Sequence, residues 1–241
     1  MTLKSQIPNL ITLLNLLCGC IALMFAVNLN FDLAFLFVAL GIFFDFFDGF
    51  FARLFKVAGP LGVQLDSLAD MVTSGVVPGV VMFFLLKDAT AENVNSFLPY
   101  LGFVITLGSC MRLAKFNIDT RQTDSFIGLP TPANALFILS LPLVLQYSNS
   151  LFITELFISP VVLVIISLFS AFILNAEIPL FSLKIKSGQW SKYKLQFSFL
   201  IICLLLLISL QILAVPLIII FYVLLSIVYN KWTGQKVSQI K

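Results

Sequence analysis

The feature that most constrains this chain is a recurrence of apolar runs, each close to the thickness of a lipid bilayer when helical. They occupy residues 8–27, 31–53, 66–86, 97–116, 133–148, 155–176, 195–213 and 215–230. A helix needs roughly 20 apolar residues to cross the hydrocarbon core, where the spanning backbone must satisfy its own hydrogen bonds. The expected fold is therefore all-α, a polytopic membrane helical bundle of about eight transmembrane helices. Turn formers and polar residues separate the runs: Asn28 to Asn30, Gly59-Pro60, Lys87 to Ser96, Gly128 to Pro132, Tyr147 to Ser150, Lys184 to Lys194, and Pro216. The last boundary is the weakest, because Ala214-Val215-Pro216 alone divides two runs and a single kinked helix is the alternative.

Composition agrees with this class. Hydrophobic residues make up 60% of the 241 and charged residues 10%, against about 45–50% and about 25% in ordinary soluble domains. The first run lacks a small-residue cleavage site behind a basic region, so it reads as a retained helix. No internal repeat, low-complexity stretch or soluble domain interrupts the pattern. The expected organisation is one membrane domain over 1–241, with a catalytic core at about 7–176 and two additional helices over 195–230. Four cysteines (Cys18, Cys20, Cys110 and Cys203) sit in apolar surroundings without a CxxC pair and read as small core residues. The 26 phenylalanines read as lipid-facing or packing residues.

Positive charge orients the bundle. With eight spans and a cytoplasmic N-terminus, the cytoplasmic side receives Lys4, Arg53, Lys56, Arg112, Lys115, Arg121, Lys184, Lys186, Lys192, Lys194, Lys231, Lys236 and Lys241; the other side keeps Lys87. Both termini are then cytoplasmic in a multi-pass protein, expected in a bacterial or archaeal cell membrane. The net charge of +3 points to anionic lipid headgroups, and no basic-aromatic pattern suggests nucleic acid.

Against this background the stretch DFFDGFFARLFKVAGPLGVQLDSLAD, residues 45 to 70, is anomalous, since it holds four of the chain's 11 carboxylates. Asp45 and Asp48 are three apart near the cytoplasmic end of the second helix; Asp66 and Asp70 are four apart at the start of the third. Both separations place side chains on one helical face. The Gly59-Pro60 turn makes the two helices antiparallel neighbours and brings the pairs together. Carboxylates converging near lipid depth need neutralising cations. The chain has no histidine, and oxygen-only ligation favours Mg2+ or Mn2+. Gly49 and Ala52 share the Asp45 face and leave a slot, Arg53 adds a cation at its rim, and Gly62 permits close approach one turn before Asp66. Metal, slot and arginine together suit a phosphate-bearing substrate.

The spacing D-x2-D-G-x2-A-R-x8-G-x3-D-x3-D from Asp45 to Asp70 resembles the signature of the CDP-alcohol phosphatidyltransferase family at all eight fixed positions. That resemblance implies a membrane-embedded enzyme moving a phosphatidyl group from a CDP-linked lipid to an alcohol, with release of CMP. It implies that Asp45, Asp48 and Asp66 hold divalent metal, two ions in all, and that Asp70 is the general base while also touching the metal site. It further implies that Gly49, Ala52 and Arg53 form the cytidine diphosphate site and that the enzyme is a homodimer. The chemistry agrees: pyrophosphate charge must be neutralised, and an alcohol attacks well only as a base takes its proton.

The segments IPNLITLLNLLCG (Ile7 to Gly19), RLAKFN (Arg112 to Asn117) and FIGLPTPANA (Phe126 to Ala135) resemble the integral-membrane phosphatidylserine synthase branch of that family. The resemblance implies CDP-diacylglycerol and L-serine as substrates. Serine presents a carboxylate and an ammonium, and Arg112, Lys115, Asn117 and Arg121 are acceptor-site candidates; ordinary cytoplasmic anchoring is the other reading of the cations. The GLPTP loop either joins that site or simply starts a helix at Pro132. Asn9, Thr12 and Asn15 either line the nucleotide slot or bond neighbouring helices, with the slot favoured for Asn9 and Thr12. Glycerol 3-phosphate or an inositol compound is the alternative acceptor. A cation-coupled transporter would instead spread its carboxylates along several helices near the midplane.

Overall fold

The structure is a computed structural model that describes residues 3–91, 96–119, 126–148, 150–180 and 194–233. Arg121 and most of the Lys184 to Lys194 loop lie outside the described residues. The protein is a polytopic helical membrane protein. Among the described residues, five helical stretches are long and apolar enough to cross a bilayer, and Thr131–Tyr147 and Pro160–Asn175 are shorter apolar helices.

Helix α1 (Leu3–Val27) turns at Leu29, whose φ is 59°, and Asn30 caps α2 (Phe31–Leu54) by accepting from Leu33 N at 3.2 Å. Pro60 opens α3 (Pro60–Asp70), at a position where a helix has no use for its missing N–H. The helical path does not stop at Asp70. A π turn (Met71–Val76) carries it into α4 (Val77–Ala89), so the span covers Pro60–Ala89 and begins earlier than the apolar run at 66. A 3₁₀ segment (Leu98–Phe103) leads into α5 (Val104–Ile118).

Strand β1 (Phe126–Ile127) pairs antiparallel with β2 (Pro179–Leu180), a small clip that the hydropathy pattern does not announce. Between them lie α6 (Thr131–Tyr147), α7 (Leu151–Ile158) and α8 (Pro160–Asn175). The expected single run over 155–176 is thus broken. Pro160 drives Ser159 to an extended conformation (φ −67°, ψ 118°), which ends one helix and starts the next. The final pair is two helices, α9 (Lys194–Leu210) and α10 (Ala214–Thr233), broken at Gln211, whose φ is 50°. They fold back on each other, since Phe199 stacks on Phe221 at 5.8 Å and Cys203 belongs to the same cluster as Ile218.

The core is centred on α4. Its Val77, Val81, Met82 and Leu86 are fully enclosed by Ala22 and Ala26 of α1, Ala34 and Val38 of α2, Ile138 of α6 and Leu163 of α8. Small residues set the spacing at its lower end: a Cβ on Gly41 would sit 2.8 Å from both Asn15 Oδ1 and Thr73 Cγ2. The π turn is held in place by Thr73 Oγ1, which donates to Asn15 O at 3.1 Å, and by Thr106 Oγ1, which donates to Gly75 O at 2.9 Å. Phe43, Phe46 and Phe50 project outward from α2, as lipid-facing residues do. All four cysteines are free, but Cys20 and Cys110 are exposed on outer helix faces; only Cys18 and Cys203 pack as core residues. Apolar flanks look alike in sequence whether they face protein or lipid.

Candidate active site

The C-terminal halves of α2 and α3 deliver the four aspartates to one place, and α1 closes the site from the side. One ligand oxygen each from Asp45, Asp48 and Asp66 can be chosen so that all lie within 4.8 Å of one another. Asp48 and Asp70 are 6% and 7% exposed; Asp45 and Asp66 are half-buried. Thr12 Oγ1 donates to Asp48 Oδ2 at 2.6 Å, with Pro8 O a second acceptor at 3.1 Å. Three carboxylates concentrated in a weakly solvated site repel one another unless a cation is shared between them. Their oxygen-only donor set fits a hard divalent ion such as Mg2+ or Mn2+.

Outside this triad, but within electrostatic reach of Asp45, stands Asp70. Asn15 Nδ2 donates to its Oδ1 at 3.2 Å, and among the described residues its Oδ2 carries no protein hydrogen bond. Asn15 is buried and, of the two roles its sequence position allows, takes that of bonding a neighbouring helix, with the fourth aspartate as its partner. The available signal was its spacing three residues after Thr12, which puts both on the α1 face turned toward α2 and α3.

Beside the triad is a cavity of about 180 Å³. Asn9, Thr12, Gly49, Ala52, Arg53 and Gly62 all line it, together with Asp48 and Asp66. The glycines keep it open. A Cβ on Gly62 would lie 3.7 Å from Asn9 Oδ1, and one on Gly49 would meet Arg53 Nη1 at 3.3 Å. The helix pair thus presents carboxylates on one wall, a guanidinium at the rim and little side-chain bulk between them.

The remaining candidates divide. Arg112 is buried at the end of α5, where its Nε donates to Leu129 O at 2.6 Å and its guanidinium lies 5.7 Å from the Phe116 ring centroid. It is within electrostatic reach of Asp70 and shares a separate cavity with Lys115. Asn117 accepts from Ser67 Oγ at 3.0 Å, which ties α5 to the aspartate-bearing α3, and it does not line that cavity. The GLPTP loop starts α6 with Pro132 in its first turn. Gly128 adopts φ 75°, and its N–H donates to Ile178 O at 2.9 Å while Leu129 N–H donates to Ile173 O at 3.1 Å. The loop therefore presents the Leu129 carbonyl to Arg112.

Comparison with known proteins is consistent with this geometry. The model of the CDP-alcohol phosphatidyltransferase family matches residues 5–172. The CDP-diacylglycerol–serine O-phosphatidyltransferase of Bacillus subtilis (strain 168) is 36% identical over 132 residues, 53% of this chain and 70% of that protein. The protein of that name from Helicobacter pylori (strain J99) is 32% identical over 133 residues, 54% of each chain. The archaetidylserine synthase of Methanothermobacter thermautotrophicus is 30% identical over 146 residues, 59% of this chain and 60% of the relative. The match thus spans little more than half of the Helicobacter protein. With the eight-position signature inside the matched region, the chain belongs to the CDP-alcohol phosphatidyltransferase family.

Proposed function

We propose that the protein transfers the phosphatidyl group of CDP-diacylglycerol to the hydroxyl of L-serine, giving phosphatidylserine and CMP. The observation that carries this reading is the adjacency of three metal-competent carboxylates, a cavity lined by Gly49, Ala52 and Arg53, and a fourth carboxylate held by Asn15. Serine Oγ attacks the β-phosphorus: an Oγ–P bond forms, the P–O bond to CMP breaks, and the hydroxyl proton passes to Asp70. Asn15 holds Asp70 Oδ1 and so turns Oδ2 toward the alcohol. Asp45, Asp48 and Asp66, with Asp70 beside them, would hold divalent metal, two ions per site, and that metal would neutralise charge on the pyrophosphate and the leaving CMP. Asn9, Thr12, Gly49, Ala52, Arg53 and Gly62 bind the CDP moiety.

The sidedness of the charges supports a site at the cytoplasmic end of eight spans, reached from the cytoplasmic leaflet. The chain acts as one membrane domain whose catalytic core precedes α9 and α10, in keeping with the matched region 5–172, and the family resemblance of its sequence supports a homodimer. Arg112 and Lys115 contribute cations to the acceptor site; Asn117, outside that cavity, acts on it by tying α5 to α3 through Ser67, and the acceptor candidate Arg121 lies outside the described residues.

An acceptor panel tests the reaction. Purified protein with CDP-diacylglycerol and Mg2+ or Mn2+ should release CMP on addition of L-serine, whereas release with glycerol 3-phosphate or an inositol compound and not with serine would overturn the serine assignment. Gly49→Leu should weaken CDP-lipid binding by at least about tenfold, because its side chain fills the cavity. The neighbour it meets is the mobile end of Arg53, so the melting temperature should hold; equal loss of folding and binding would make Gly49 a packing residue.

A further inference from the structure

The second cavity, of about 390 Å³, is walled by the last turn of α5, the end of α8 and the β1–β2 clip. Close packing creates it: a Cβ on Gly108 of α5 would lie 2.8 Å from Ala171 Cα of α8, so the two helices meet one turn from Arg112. Its charge is mixed. Arg112, 6% exposed, and Lys115 bring positive charge, while Asp119 and Glu177 bring negative charge. Asn175 adds an acceptor. Its Nδ2 donates to Gly108 O at 2.9 Å and Ala171 O at 3.1 Å, which fixes the amide, and among the described residues its buried Oδ1 has no hydrogen-bond partner.

This pattern discriminates among alcohols. A phosphate-bearing acceptor is purely anionic and would meet two carboxylates; a neutral polyol has no use for a buried guanidinium. An α-amino acid carries an ammonium and a carboxylate on one carbon and needs both signs within one cavity. We propose that Glu177, together with Asn175 Oδ1, forms the ammonium-recognising side of the acceptor cavity and sets its selectivity for an α-amino acid. This assignment rests on the serine reading above, and opposes Glu177 across the cavity to the carboxylate-binding Arg112 and Lys115.

The test uses the full chain and two acceptors, L-serine and 3-hydroxypropionate, which keeps the hydroxyl and the carboxylate and lacks the ammonium. Glu177→Gln should raise the KM for L-serine about tenfold, as expected for losing a hydrogen bond between charged groups, and leave the KM for CDP-diacylglycerol within about twofold. The preference for serine over 3-hydroxypropionate should fall by the same factor, and Glu177→Asp should restore most of it. An unchanged serine KM, or a loss shared equally by both acceptors, overturns the assignment while leaving the serine reading in place. Parent protein that releases CMP with glycerol 3-phosphate and not with serine overturns both.

Discussion

Asp70→Asn is expected to cut turnover by about 10²–10⁴-fold, the usual worth of a positioned general base. The substitution keeps the shape of the side chain and an oxygen that can accept from Asn15 Nδ2, so the α1–α3 contact survives. What it removes, on the proposed mechanism, is the capacity to take the acceptor's hydroxyl proton as its oxygen bonds to phosphorus. CDP-lipid binding should be nearly unchanged, because the cavity that holds Gly49, Ala52 and Arg53 is lined by Asp48 and Asp66 and not by Asp70. Pre-steady-state CMP release, measured beside a CDP-lipid titration, separates the two effects. Full activity in this variant would remove Asp70 as the base.

Asp45→Asn should act through metal. It converts one of three convergent carboxylates into a neutral, weaker ligand, and the half-saturating Mg2+ or Mn2+ concentration should rise by at least about tenfold. Saturating metal should recover part of the rate. Stability should move in the opposite direction when the metal is chelated: the parent then holds three mutually repelling groups and the variant two, so its melting temperature should match or exceed the parent's. An unchanged metal titration would contradict the ligand role.

The aspartates were legible in the sequence because helical spacing is a local rule. Separations of three and four fix a shared face whatever else the bundle does, and the Gly59-Pro60 turn leaves consecutive helices little choice but to meet. For the same reason Asn9, Thr12, Gly49, Ala52, Arg53 and Gly62 all reach one cavity. Contacts between distant segments were not legible. Asn15 bonds Asp70 across 55 positions of chain and Ser67 bonds Asn117 across 50, and nothing in the pattern of either segment names its partner. The end of α8 shows the same limit. Asn175 and Glu177 look like an ordinary boundary after an apolar run until Gly108 brings α5 against them. The break at Ser159 hid inside continuous hydropathy, where a proline can equally bend a helix or end it.

The π turn over Met71–Val76 has a mechanical consequence for how such a helix can change. One residue of an α-helix corresponds to about 100° of rotation, so the added residue of a wide turn resets the azimuth of everything beyond it. Up to Asp70 the span keeps the phase that turns Asp66 toward Asp45 and Asp48. From Val77 onward it keeps the phase that seats Val81 and Met82 in the core. The turn acts as a gearbox between two halves of one rod, letting each hold its own angular setting.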